Sequence, residues 1–160
     1  MERLAELIAR VAQPGRVAWI GLRPERKGAM RVVEAAELGL RGLEGDHGRS
    51  EKRALTLVQA EHLPVIGAYL GRGPVAAEDL RRNLVVSGIN LLSLRGRVVE
   101  IGGAVVEVTG PCAPCSRMEA AFGHGGYAAV RGHGGVTARV LEPGRIALGD
   151  RVAPRGEADL

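Results

Sequence analysis

Both cysteines of the chain lie in one short segment, residues 109–119, whose sequence is Thr-Gly-Pro-Cys-Ala-Pro-Cys-Ser-Arg-Met-Glu. Cys112 and Cys115 are two residues apart, and Pro111 and Pro114 each precede one of them. Because proline fixes φ and removes an N–H donor, this loop should be stiff and hold both sulfurs in place. Such a loop suits a ligand for a soft metal or a sulfur nucleophile.

A helix is predicted directly after Cys115. Ser116 and Glu119 fit the capping box S-x-x-E, in which the serine accepts a hydrogen bond from a backbone N–H of the first turn and the glutamate reaches back. Unpaired N–H groups and the positive end of the helix dipole favour negative charge there, and Arg117 adds a cation. We therefore expect Cys115 to react as a thiolate, with Cys112 as a second catalytic candidate.

The residues leave three chemistries open. A structural zinc site would use Cys112, Cys115, His124 and His133, but the usual H-x3-5-H arm is missing. A dithiol redox site would use Cys-Ala-Pro-Cys, although here the second cysteine is nearer the helix and no βαβ unit surrounds it. In the third, Cys115 alone binds a soft metal or carries a sulfur atom. The residues favour the third only slightly.

Polar residues elsewhere are candidates for holding an anion near Cys115. Arg81, Arg82 and Asn83 precede a predicted strand, and arginine offers a bidentate fork to phosphate. A solvated arginine pair with Asn83 in a turn is the alternative. Asp46 and His47 lie at the tip of a glycine-rich loop, as ligands or as a turn device.

Composition predicts one domain over residues 1–160, with a core of roughly 16–153. With 46% apolar residues and 24 glycines among 160 residues, the chain can build a core with many tight turns. The net charge of +4 indicates a basic surface or an anionic ligand. Nucleic acid is not an expected partner, because few aromatic residues are present for stacking on bases. No run approaches the ~18 apolar residues of a membrane span, and we expect a cytoplasmic protein without membrane contact.

Hydrophobic periodicity predicts a mixed, β-rich fold with helices. A glycine turn at 102–103 should join two strands as a hairpin. The other predicted elements are an amphipathic helix packed on the core at 2–12, strands at 16–22, 30–35, 55–58 and 84–87, helical segments at 59–70 and 76–80, a C-terminal hairpin of 136–141 with 145–152, and a loose tail at 154–160.

Five motifs in order resemble the MOSC domain, named for the C-terminal domain of molybdenum cofactor sulfurase. They are Gly-Leu-Glu-Gly-Asp-His at 42–47, Leu-Thr-Leu-Val-Gln at 55–59, Arg-Arg-Asn-Leu-Val-Val-Ser-Gly at 81–88, the cysteine segment at 109–117 and Ile-Ala-Leu-Gly-Asp at 146–150. The similarity spans roughly residues 16–153. It implies a barrel-like β domain with a few helices.

The resemblance also implies a function. Similar family members include small bacterial reductases of N-hydroxylated bases and amidoximes, and the mitochondrial amidoxime-reducing component. They bind a pyranopterin molybdenum cofactor, and a cysteine matching Cys115 ligates the metal. The region matching Arg81, Arg82 and Asn83 helps to hold the phosphate-bearing pterin. We therefore take as cofactor-binding candidates Arg81, Arg82, Asn83, Arg117, Asp46, His47 and His133.

The hypothesis is then a reductase of small N-hydroxylated molecules that takes electrons from a separate donor protein, since no flavin, NAD or iron-sulfur signature occurs. Cys112 would tune or protect the metal ligand. Pyridoxal phosphate is not expected, because nothing here resembles the sulfurase's desulfurase domain. One rival is a sulfur carrier with a Cys115 persulfide, served by a desulfurase partner. Another is a non-catalytic module that binds a cofactor or zinc.

Overall fold

The computed structural model describes residues 3–48 and 50–156. Among these residues, seven strands close into a barrel in the order β11-β7-β8-β9-β5-β6-β1, and β11 pairs back with β1. Every pairing is antiparallel except β5 with β6. The barrel strands are β1 (Gly15–Leu22), β5 (Leu55–Gln59), β6 (Leu84–Ser87), β7 (Val98–Ile101), β8 (Ala104–Pro111), β9 (Val136–Glu142) and β11 (Arg151–Pro154).

Four further strands of the described residues lie outside the closed ring. β2 (Arg31–Val33) extends the sheet at β1. A separate small sheet has the order β10-β3-β4, formed by β3 (Ala35–Gly39), β4 (Gly42–Leu43) and β10 (Gly144–Ala147). The predicted fold class, a β-rich barrel with a few helices, is confirmed.

The helices form two groups on one outer face of the barrel. In the crossover from β5 to β6 lie α2 (His62–Tyr69) and α3 (Ala77–Leu80). Between β8 and β9 lie α4 (Arg117–Phe122) and α5 (Gly126–Val130). The remaining helices are α1 (Leu4–Ala9) and a 3₁₀-helix (Leu91–Leu94).

Strand alternation creates two cores, because successive side chains point to opposite faces of the barrel wall. Leu57, Leu84 and Val86 belong to the interior cluster. Their neighbours Val58 and Val85 belong to a second cluster that the helices cover. The helical residues buried there include Ile66, Leu80, Met118 and Val130. This outer core fixes α3 and α4 against the barrel.

Two predictions about the chain ends differ from the structure. Helix α1 is shorter than the predicted 2–12. Of its predicted apolar stripe, Leu4, Leu7 and Ile8 are exposed, whereas Val11 packs against the interior cluster. Residue 2 lies outside the described residues. At the other end, β11 continues through Pro154, which pairs with Val99, so the chain is still in the sheet where the tail was predicted. Residues 157–160 also lie outside the described part.

The hairpin at the glycine turn is confirmed, whereas the C-terminal hairpin is wrong. Ile101 faces Ala104 across a turn in which Gly102 has φ +54, a conformation that favours glycine. By contrast, β9 pairs with β5 on one edge and β8 on the other. Since both edges of β9 are occupied, β10 pairs with β3 instead. Nowhere in residues 3–48 and 50–156 is there a helix long and apolar enough to cross a membrane.

Candidate functional site

A cleft of about 510 Å³ opens beside Cys115, where two loops and two short helices meet. Arg23 and Lys27 come from the loop after β1, and His47 from the loop after β4. Helix α3 and its C-terminal end contribute residues 79–82, and α4 with the preceding loop contributes Cys115, Arg117, Met118, Ala120 and Ala121. Five of the described side chains that line the cleft are Lys or Arg, which suits an anionic ligand.

Cys115 is exposed at the cleft, and its thiol is free. Helix α4 begins two residues later, and the Cys115 carbonyl accepts a hydrogen bond from Met118 N at 2.9 Å. The predicted capping box is wrong, because Ser116 makes no capping hydrogen bond. The Glu119 carboxylate instead accepts from the backbone N–H groups of Gly125 and Tyr127, each at 3.0 Å. Glu119 therefore caps α5 rather than α4.

Cys112 lies in a different environment from Cys115. It is buried, its N–H donates to the Gly135 carbonyl at 2.8 Å, and Arg53 Nη2 lies 3.9 Å from its sulfur. It lines a second cavity of about 360 Å³, shared with Tyr127 and Arg131. Both cysteines are free thiols, and Cys112 is buried whereas Cys115 is exposed.

The Arg82 side chain joins the end of α3 to the loop after α5. Only 7% of its surface is exposed. Its Nε donates to the Gly134 carbonyl at 2.8 Å and its Nη1 to the Leu80 carbonyl at 3.0 Å. Burial lowers the pKa of Arg82, and negative charge on Cys112 and Cys115 opposes that lowering. The buried guanidinium of Arg82 would therefore attract either cysteine in its thiolate form.

One donor of Arg82 has no partner in the described structure. The Nη2 atom is buried and makes no hydrogen bond with any residue of 3–48 and 50–156. An unsatisfied buried donor costs about 1–3 kcal/mol. Nη2 is therefore the kind of atom that a bound acceptor would satisfy.

Arg81 anchors the loop that carries Lys27. Its backbone is left-handed, with φ +55, and its guanidinium donates to the carbonyls of Gly28 and Glu25. A non-glycine residue in this region is strained by roughly 1–3 kcal/mol, a cost that is common at functional sites. Burial lowers the pKa of Arg81, as do the neighbouring positive charges of Arg23 and Arg117. The cations of the cleft thus repel one another.

A buried carboxylate holds Arg23 at the cleft. Asp46 Oδ2 accepts from Arg23 Nη2 at 2.9 Å, and Asp46 Oδ1 accepts from the Arg23 backbone N–H at 2.7 Å and from Nε at 3.1 Å. Burial raises the pKa of Asp46, but the hydrogen bonds and charge of Arg23, with a hydrogen bond from Asn83, outweigh it and leave the pKa lowered. Asp46 is therefore an ionised anchor, and it does not line the cleft.

Asn83 is fully buried and does not line the cleft. Its Nδ2 donates to the Gly21 carbonyl and to Asp46 Oδ1, and its Oδ1 accepts from the N–H and hydroxyl of Thr56. All its polar atoms are thus used within the protein. It links β1, β5 and β6 to Asp46, and acts on the cleft through that residue.

The model of the MOSC domain matches residues 44–153. The chain belongs to the MOSC domain family. Domains of this family in general bind the molybdenum cofactor. The chain is also 29% identical to the uncharacterized protein YflK of Bacillus subtilis, over 92% of this chain and 72% of that protein.

Solved structures share the fold of this MOSC domain. The YUAD protein of Bacillus subtilis has a TM-score of 0.80 at 16% identity, over 89% of this chain and 96% of that one. YiiM from Geobacillus stearothermophilus has a TM-score of 0.74 at 22% identity, over 92% and 79%. YiiM from Escherichia coli has a TM-score of 0.69 at 21% identity, over 89% and 70%.

Of the residues singled out in the sequence, Cys115, Arg81, Arg82, Arg117 and His47 come together in the cleft. His133 does not. It lies in the loop after α5 and packs against α2, with its ring centroid 4.8 Å from that of His62 and 5.7 Å from that of Tyr69. No three Cys, His, Asp or Glu side chains of residues 3–48 and 50–156 group closely enough to hold a metal, so the four-ligand zinc site is wrong.

Three charged residues of the cleft were not predicted from the sequence, namely Arg23, Lys27 and Asp79. Each stands in a short charged stretch that is typical of a solvated loop or helix end. The signal available for Arg23 was indirect, because Asp46 was identified and a buried carboxylate requires a cationic partner.

Proposed function

We propose that this MOSC domain binds the molybdenum cofactor in the cleft, with Cys115 as the protein ligand to the metal, and reduces small N-hydroxylated compounds. The observation that carries the proposal is the convergence in one cleft of an exposed thiol, five cationic side chains and a buried donor that has no partner among the described residues. Cofactor binding is general in the family. The reductase activity, the substrate and the electron donor are further parts of this proposal.

The residues of the cleft fit such a cofactor chemically. A thiolate is a preferred ligand of soft metals, and one protein thiol suffices where the pterin supplies its own sulfur ligands. Arg81, Arg117 and Lys27 would bind the cofactor's phosphate, because arginine forks match phosphate oxygens. Arg82 Nη2 would find its missing acceptor in the bound group or in the Cys115 thiolate. When bound, the molybdenum would supply the exchange of electron pairs that removal of oxygen from nitrogen requires.

His47 is the group of the cleft suited to move protons. Reduction of an N-hydroxyl group to an amine consumes two electrons and two protons and releases water. His47 Nδ1 lies 2.8 Å from the Arg23 carbonyl, which can only accept, so Nδ1 carries the hydrogen. In neutral His47 the other nitrogen, Nε2, is then the acceptor. We assign it the exchange of protons with substrate and leaving water, while electrons come from a separate donor protein.

The first test is metal content. The protein should be purified anaerobically from a host that makes the cofactor, as wild type, Cys115→Ser and Cys112→Ser, and molybdenum and zinc per chain should be measured. We expect near-stoichiometric molybdenum in the wild type and at least tenfold less in Cys115→Ser. Cys112→Ser is the matched control, since Cys112 lies outside the cleft. Molybdenum in the wild type that is equally retained by Cys115→Ser would refute the assignment of the ligand.

A second candidate function rests on the exposure of Cys115. A sulfur carrier needs a thiolate that a desulfurase partner and an acceptor can both reach, and Cys115 is exposed whereas Cys112 is buried. This function predicts a mass increase of one sulfur atom on Cys115 after incubation with a cysteine desulfurase and cysteine. The increase should disappear in Cys115→Ser and on treatment with a thiol reductant. Molybdenum would then be absent from the wild type.

A further inference from the structure

Two histidines outside the cleft, His62 and His133, pack against each other. His62 is the first residue of α2, and His133 lies in the loop of residues 131–135 that follows α5. Their ring centroids are 4.8 Å apart, and the ring planes meet at 81°. Both side chains are only partly buried, so protons from solution can reach them. The proposed function uses neither ring.

The 131–135 loop supports both the cleft and the loop that carries the cysteines. The Gly134 carbonyl accepts a hydrogen bond from Arg82 Nε at 2.8 Å, and Arg82 lines the cleft. The Gly135 carbonyl accepts from the Cys112 N–H, also at 2.8 Å. A displacement of the 131–135 loop would therefore weaken the bonds that hold Arg82 and Cys112.

The contact between the two rings suits their neutral forms. Neutral imidazoles can pack edge to face, whereas two imidazolium rings at this distance repel each other. A charged histidine is a donor at both ring nitrogens, but His133 Nδ1 is buried and has no hydrogen-bond partner within residues 3–48 and 50–156. Burial and the charge of His133 lower the pKa of His62. Protonation of both rings would therefore oppose the contact.

The other charged or titratable groups near the pair do not cancel this repulsion. Among the described residues, Glu61 is the carboxylate whose charge acts on His62, and it does not reverse the lowering of the pKa. Tyr69, from the end of α2, packs against the second ring, and tyrosine is uncharged near neutral pH. Arg131 begins the loop and Arg82 is bonded to it, so both add positive charge.

We propose that the His62–His133 pair is a proton-sensitive contact that holds the 131–135 loop against α2, and that protonation of both rings releases the loop and with it Arg82 and Cys112. The contact goes beyond the proposed function, because its action requires no cofactor. A histidine whose pKa is lowered in the closed form binds protons more readily in the open form. The closed form should therefore be fully stable above the ordinary histidine pKa of about 6.5 and should weaken as pH falls below it.

The size of the effect follows from the ring separation. Two unit charges 4.8 Å apart shift the equilibrium between closed and open loop by about fourfold even when they are screened as in bulk water. The partial burial of both rings reduces that screening, so the factor is a lower bound.

The test is amide hydrogen exchange measured by NMR at pH 8, 6.5 and 5, corrected for the intrinsic exchange rate. The Cys112 amide reports on the 131–135 loop, because it donates to the Gly135 carbonyl. The Gly103 amide, which donates to the Arg145 carbonyl in the turn after β7, reports on the rest of the barrel. In the wild type, protection at Cys112 should fall by at least about fourfold from pH 8 to pH 5, while protection at Gly103 stays constant.

Three variants identify the groups responsible. His62→Gln and His133→Gln should each lose most of the pH dependence at the Cys112 amide, because one charge of the repelling pair is removed. His124→Gln is the matched control, since His124 occupies the same position in the other Gly-His-Gly-Gly tetrapeptide and is exposed. It should behave as the wild type.

Carboxylates do not account for a change in this pH range. Hydrogen bonds from Tyr127 and Gly125 lower the pKa of Glu119, which caps α5. In Glu61, burial raises the pKa, but hydrogen bonds outweigh it and leave the pKa lowered. Both groups therefore stay ionised between pH 8 and pH 5.

Three outcomes would overturn the inference: wild-type protection at Cys112 that does not change with pH, an equal fall at Gly103, or the same fall in both His62→Gln and His133→Gln. The comparison of the two amides within the wild type decides the first two even if a variant does not fold.

Discussion

Replacing Asp46 with asparagine tests whether a buried charge holds the cleft together. The Asp46 side chain is fully inaccessible, and Arg23, its partner, is 19% exposed. Asparagine can keep Oδ1, which accepts from the Arg23 backbone N–H and Nε. It replaces Oδ2, which accepts from Arg23 Nη2 and Gly48 N, with an NH2 group that faces two donors. The substitution therefore removes one negative charge and places an NH2 donor against two other hydrogen-bond donors.

The expected loss in free energy of unfolding at pH 7 is about 3 kcal/mol. Removing one partner of a buried ion pair costs about 3–5 kcal/mol, and the residual exposure of Arg23 places this case at the lower end. The folded-state pKa of Asp46 is lowered, so its stabilisation is present above the unfolded pKa of about 3.9 and is lost as pH falls through the folded pKa. The difference between wild type and Asp46→Asn should therefore shrink below about pH 4.

The measurement is urea denaturation of wild type and Asp46→Asn at a series of pH values from 7 down to 3. Glu44→Gln removes a charge from the same loop at an exposed position and should change stability by less than about 0.5 kcal/mol. If Asp46→Asn lowers the free energy of unfolding at pH 7 by less than about 1 kcal/mol, the reasoning about the buried pair is refuted. A difference that does not change with pH would refute the reasoning about its pKa.

Three further predictions concern the supports of the site. Gly134→Ala should lower the free energy of unfolding by about 1–3 kcal/mol, measured by thermal unfolding, because its Cβ would lie 2.6 Å from a backbone carbonyl oxygen of the cysteine loop. The control Gly73→Ala places its Cβ in open space and should leave the free energy of unfolding unchanged. Asn83→Ala should lower the free energy of unfolding by about 3 kcal/mol, measured by urea denaturation, since it leaves buried backbone groups of two strands without these partners. Hydrogen bonds from Tyr127 N and Gly125 N lower the pKa of Glu119, so the cap on α5 is formed at neutral pH and is lost as pH falls through that pKa. Hydrogen exchange at these two amides, corrected for intrinsic rate, should accelerate on acidification in the wild type but not in Glu119→Gln.

Local patterns predicted much of the fold, because many of its elements are set by nearby residues. The β-branched runs on either side of Gly102 are sufficient to indicate β7 and β8. The prediction of a C-terminal hairpin was wrong because the turn residues around Pro143 do not indicate that both edges of β9 are already paired with other strands. The closure of the barrel by β1 and β11 joins distant parts of the chain, and no local pattern records such a pairing.

The site was predictable where its chemistry is concentrated in sequence. Cys115 and the arginine pair at 81–82 belong to distinctive motifs, and they share the cleft. The capping box failed because the Glu119 carboxylate finds two N–H groups several residues downstream, which sequence spacing alone does not reveal. Asp79 could not be identified from its type and position, since acidic residues in the first turn of a helix are common for the helix dipole alone.

The cleft concentrates positive charge that would disperse if its side chains were free to move. Three of the five described cations are held in different ways: Arg23 by the buried Asp46, Arg81 by two loop carbonyls, and Arg82 by carbonyls on either side of it. Because these bonds are made before any ligand arrives, the repulsion among the cations is a cost of folding, and an anion that enters relieves it. The barrel offsets part of that cost, because Thr56 in β5 and Asn83 next to β6 hold Asp46 in place and through it Arg23.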